Sequence, residues 1–77
     1  MKVNVSVYGM LRDKLPPEAK GKTTLDLPDG STIQYVLDHL GVNTMIKASV
    51  NEELVRDLSH TLQDGDWLQL FRPVGGG

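Results

Sequence analysis

Only one stretch of this chain has the pattern of an amphipathic helix, and most of what surrounds it alternates with period two. Ile33, Val36, Leu37 and Leu40 fall at i, i+3, i+4 and i+7, which puts four apolar side chains in one stripe. Ser31 with Gln34 three residues on predicts a capping box, in which Ser31 accepts from the N3 amide. Gly41 follows as a C-terminal stop. A single helix with a single stripe must bury it against another layer, and the alternating segments supply a sheet.

Val3, Val5 and Val7 alternate with Lys2, Asn4, Ser6 and Tyr8, the pattern of a half-buried strand. Residues 23–27 alternate again and are stopped by the turn chemistry of Pro28-Asp29-Gly30. Between these strands, residues 9–21 are expected to be an irregular connection because of Pro16-Pro17, with Met10, Leu11 and Leu15 tucked beneath it. Beyond the helix, residues 46–50 read as a strand and Asn51-Glu52-Glu53 as a turn into Leu54-Val55. Residues 57–61 are polar and irregular, and Asp64-Gly65 turns the chain into a last strand, Trp67 to Phe71. The order is β-β-α-β-β-β, an α+β fold with one helix crossing a mixed sheet. The expected core is the helix stripe against Val3, Val5, Leu68 and Leu70.

At 77 residues the chain makes one domain with a small core, hiding about 60% of its unfolded surface. With no cysteine it has no disulfide, thiolate nucleophile or cysteine-based metal site. The N-terminus alternates and lacks a signal peptide's apolar core, and no apolar run approaches the roughly 20 residues of a membrane span, so the cytoplasm is the expected compartment. The formal charge is −2, with eight basic and ten acidic residues spread along the chain, and few aromatics. A nucleic-acid binder needs a basic stripe or a stacking platform, and neither is present in the sequence.

No self-sufficient active site emerges. Gly21-Lys22-Thr23 resembles the end of a phosphate-binding loop, but the position five before Gly21 holds Pro16 instead of glycine. Asn4-Val5-Ser6 is a glycosylation triplet inside an expected strand. His39 and His60 lack metal-ligand spacing, and Asp64 and Asp66 offer too few oxygens for calcium, so no metal site is expected.

The last strand and the tail after it carry the functional signal. If Leu68 and Leu70 face the helix, Trp67, Gln69 and Phe71 face outward and suggest a partner surface. The alternatives are a preceding loop folded over the aromatics, or a register shifted by one. The chain then closes in Pro73-Val74-Gly75-Gly76-Gly77. Without Cβ atoms, three glycines can enter a passage too narrow for other residues, with a carboxylate at the tip that can be activated as an acyl adenylate. An ordinary frayed terminus is the competing reading.

These features together resemble the MoaD/ThiS family of ubiquitin-like sulfur carriers, closest to the small subunit of molybdopterin synthase. The resemblance rests on residues 48–55, on Leu62-Gln63-Asp64-Gly65-Asp66-Trp67-Leu68-Gln69-Leu70-Phe71, and on Pro73 to Gly77; the N-terminal half matches in element order and in residues 8–15. It implies a ubiquitin-like β-grasp domain over residues 1–74 and a flexible glycine tail over 75–77. It implies a carrier, with no catalysis of its own and no cofactor bound by itself. It further implies that a ubiquitin-activating-like enzyme uses ATP and Mg²⁺ to adenylate Gly77, that sulfur replaces the AMP, and that the thiocarboxylate serves a synthase large subunit in molybdopterin biosynthesis. By the match, Gly76 precedes the acyl group, and Phe71, Pro73 and Val74 occupy positions where the family places its partner-contacting approach to the tail; Trp67, from its outward face, and Gly75 complete the expected partner-binding residues. The same scaffold serves thiamine thiazole synthesis, other sulfur transfers and protein modification, and a β-grasp interaction module without tail chemistry is a further alternative. Two departures stand out: Trp67 occupies a position where most members carry a polar or acidic residue, and Gly75 one often held by another small residue.

Overall fold

The structure, a computed structural model, describes residues 1–73. Five strands and one helix take the expected order: β1 (Lys2–Val7), β2 (Lys22–Asp26), α1 (Ile33–Leu40), β3 (Lys47–Val50), β4 (Glu53–Val55) and β5 (Trp67–Phe71). The sheet order is β2-β1-β5-β3-β4, with β1 and β5 parallel at its centre and the other pairs antiparallel. This central pairing lines Val5 up with Leu68 and Val7 with Leu70, so the two most apolar strands share an inner face.

That face and the helix enclose the core. Val3, Val5, Val7, Ile33, Val36, Leu37, Leu68 and Leu70 are all buried and belong to one cluster, as the stripe predicts. Leu40 is only half-buried at the edge of this cluster. Leu11, Leu27, Val42 and Leu62 close it from the connections and Ala48 from β3.

The start of the helix corrects the expected capping box. The N-cap is Thr32, whose Oγ1 accepts from the Tyr35 N–H at 3.1 Å. Ser31 is occupied elsewhere, its Oγ donating to the Pro28 carbonyl at 2.6 Å, and the Gln34 side chain donates to Asp38. The turn at Pro28 therefore takes one hydroxyl and leaves its neighbour to cap. The polar segment before β5 has a related task. Leu58 and His60 carbonyls accept from the Gln34 and Ile33 N–H groups, satisfying two donors that a helix start leaves free. Asp57 orders this segment by accepting from the Ser59 hydroxyl and backbone N–H, which hold its carboxyl below the usual aspartate range. Gly41 ends the helix in the left-handed region, as its position implies.

The connection after β1 is more regular than expected. It forms two short 3₁₀ helices, Gly9–Lys14 and Pro17–Ala19. Pro17 opens the second of these, where its fixed φ suits the first turn and its missing N–H costs nothing. Leu11 is buried and Leu15 packs on the core, but Met10 points to solvent. Gly21 holds the return to β2: its φ is +78°, and a Cβ there would lie 2.7 Å from the Val7 carbonyl oxygen.

Candidate functional site

β5 fixes the geometry of the outer sheet face. Leu68 and Leu70 point inward, so the strand's period of two turns Trp67, Gln69 and Phe71 outward, each half-buried. The expected register holds, and the pairings bring Asn4, Ser6 and Tyr8 of the β1 side and Ser49 of β3 onto the same face.

The turn before β5 locks that register. Asp64 Oδ1 accepts from the Lys2 N–H at 2.7 Å, and the Gly65 N–H donates to the Lys2 carbonyl at 2.7 Å. Asp66 uses Oδ2 for the Gln63 N–H and Oδ1 for the Asn51 side-chain amide, while Asn51 Oδ1 accepts from the Trp67 N–H. These two carboxylates are thus spent on joining the start of β1 to the β3–β4 hairpin. The hairpin turn itself has Asn51 and Glu52 both at positive φ, a two-residue turn that matches the strand twist.

A polar seam crosses the middle of the face. The Trp67 indole N–H donates to the buried Ser6 hydroxyl at 3.0 Å. The Gln69 amide donates to Tyr8 Oη at 2.8 Å and accepts from Ser49 Oγ at 2.9 Å. This seam holds the outward side chains in one arrangement, which lowers the entropy that a partner must remove on docking. Around it lies apolar surface: Trp67, Phe71, Tyr8 at 42% exposure and Leu54 at 52%. Beside Trp67 an open groove of about 570 Å³ is lined by Asn4, Ser6, Lys22 and Thr24.

The structure therefore brings Trp67 and Phe71 together on one face. Pro73 is exposed two residues beyond β5. Val74, Gly75, Gly76 and Gly77 lie outside the described residues. Tyr8, Ser6 and Ser49 are additions to the expected face; they join it through the parallel β1–β5 pairing and the β3–β5 pairing, which no local pattern specifies. Among the described residues no helix is long and apolar enough to cross a membrane.

The ThiS family model matches residues 5–77. No curated protein matches the chain. Among solved structures, the chain is similar to the small archaeal modifier protein SAMP1 from Haloferax volcanii, with a TM-score of 0.74 and 21% identity over the whole of both chains. A second structure of that modifier gives a TM-score of 0.74 at 20% identity, over 95% of this chain and 98% of the other. The complex of subunits 1 and 2 of the molybdopterin-converting factor from Helicobacter pylori matches with a TM-score of 0.66 at 20% identity, over all of both chains. At these identities the likeness is one of fold, and that fold is the ubiquitin-like β-grasp.

Proposed function

We propose that this chain, which belongs to the ThiS family, is a sulfur carrier for molybdopterin synthesis whose reactive atom is the carboxyl carbon of Gly77. The family match, which runs through the glycine tail to residue 77, is the observation that carries this reading. A carboxylate oxygen of Gly77 attacks the α-phosphorus of ATP held by an adenylating partner enzyme, and pyrophosphate leaves. Hydrosulfide (HS⁻) from a sulfur donor then adds to the acyl carbon, the bond to the AMP oxygen breaks and AMP departs, leaving a thiocarboxylate. Its anionic sulfur is the nucleophile delivered to a synthase large subunit. The carrier contributes reach and recognition: Gly75 and Gly76 pass where a Cβ would not, and Trp67, Phe71, Pro73 and Val74 dock the approach. The Helicobacter pylori neighbour, a two-subunit molybdopterin-converting factor, supports the choice of pathway and of a synthase-subunit partner.

The test is intact mass measurement of the protein from its native cell. A thiocarboxylate adds about 16 Da, one sulfur in place of one oxygen, at the C-terminus. The likeness to a small archaeal modifier favours one other reading, in which Gly77 is joined to lysine amines of other proteins. That reading predicts products heavier by the whole mass of a target. A terminus carrying neither change in any condition would overturn both.

The docking face has its own expected result. Phe71→Ala should weaken the complex with the adenylating enzyme by more than about 1 kcal/mol, as for a half-buried aromatic anchor, and leave the domain folded. Calorimetric titration beside a thermal melt checks both halves. Unchanged affinity with a large loss of stability would make Phe71 a structural residue.

A further inference from the structure

The charges of this chain are sorted by end, although its sequence looks evenly mixed. At one end β1 stops, β2 starts, β3 starts and β5 stops. Arg12, Lys20 and Lys22 surround one hollow there, beside Tyr8 and Gly21. Lys47 stands opposite Phe71, Arg56 comes just after the end of β4, and Arg72 just after β5 with its guanidinium 3.6 Å from Met10 Sδ. With Lys14, at the close of the first 3₁₀ helix, this makes seven of the eight Lys and Arg residues, against Asp13, Glu18 and Asp57, the residue after Arg56, with Asp38 on α1. The opposite end holds Asp26, Asp29, Glu52, Glu53, Asp64 and Asp66 against Lys2 and the Met1 amine. Among the described residues the ion pairs are those of the Met1 amine with Asp26 and Asp29, so none of the seven cations is neutralised by a carboxylate in contact.

A net charge of −2 therefore hides a strong dipole, and its positive pole is the end where β5 delivers the chain toward Gly77. We infer that this pole is a second docking element, contiguous with Phe71, which fits an acidic rim around the passage that admits the tail on the adenylating enzyme. The inference rests on the carrier function proposed above and names the partner's chemistry. Unlike charges at the two mouths orient the carrier with its tail foremost before contact, and like charges turn away the acidic end. Such steering acts on encounter, so it is expressed in KM and in its salt dependence, with kcat unaffected.

The experiment is pyrophosphate exchange by the adenylating enzyme of the same genome, with the carrier as varied substrate. Ionic strength is raised from about 25 mM to about 300 mM, which shortens the screening length from about 20 Å to about 6 Å. KM for the intact carrier is expected to rise about tenfold or more at constant kcat. Lys20→Glu combined with Lys22→Glu should raise KM by a similar factor at low salt and flatten its salt dependence, whereas Glu52→Lys with Glu53→Lys should behave as the intact protein does. Exchange whose KM ignores both salt and the Lys20/Lys22 reversal overturns the positive pole and leaves the carrier function standing. Absence of exchange with the intact carrier removes that function, and the pole is then decided without the enzyme. A hexaglutamate peptide titrated at low salt should shift the amide resonances of Arg12, Lys20, Lys22 and Lys47. No shifts, or shifts at the opposite end, overturn it.

Discussion

A chain lacking Gly77 is expected to lose adenylation by at least about a hundredfold while folding as the intact chain does. The reason is reach. One residue of extended chain spans about 3.5 Å, and a misplacement of about 1 Å at a reacting centre can already cost a hundredfold. In the proposed reaction, without Gly77, the carboxylate of Gly76 would stop short of the α-phosphorus. Appending one alanine should be equally damaging for two separate reasons: it moves the acyl carbon onward, and it places a Cβ where the passage takes only glycine. Neither change touches the core cluster, every member of which lies within residues 3–70. Pyrophosphate exchange with both variants, alongside thermal melts, gives the answer. Full exchange by the truncated chain would make the glycines an ordinary terminus and end the carrier assignment.

What the sequence reveals and conceals about this molecule divides along the range of the interactions. The helix stripe, Gly41, the Asp64-Gly65 turn and the alternation of Trp67 to Phe71 are local patterns, and each takes its expected place. Where two neighbours compete for one task, local reading fails. Ser31 and Thr32 both suit an N-cap, and the choice is made by a carbonyl of Pro28 that engages the first. The 3₁₀ turn opened by Pro17 is hidden by proline's double character, a breaker inside regular structure but a starter at a first position. The outer face is half legible. Period two turns Trp67 and Phe71 outward, but the Ser6, Tyr8 and Ser49 hydroxyls reach Trp67 and Gln69 only through pairings with β1 and β3. The charge dipole is hidden for the same reason, since it is created by antiparallel turns that bring distant lysines to one end.

The second large effect concerns the layer behind that face. Leu37 is 3% exposed on the inner side of α1 and belongs to the cluster that includes Leu68 and Leu70, the inward partners of the outward aromatics. Leu37→Ala removes three buried carbons from a core too small to close over the space, so a loss of about 2–5 kcal/mol is expected. In a domain of this size that lowers Tm by about 10 °C or more and takes up a large share of the total stability. Tyr35→Ala on the same helix, a 45% exposed position, should stay within about 0.5 kcal/mol apart from its small change in propensity. Urea unfolding of the pair separates packing from helix content, because both variants alter α1 and only one opens the core. A Leu37→Ala loss below about 0.5 kcal/mol would mean that α1 presents a different face to the sheet. The outward orientation of Trp67 and Phe71, which depends on Leu68 and Leu70 facing that helix, would then have to be abandoned with it.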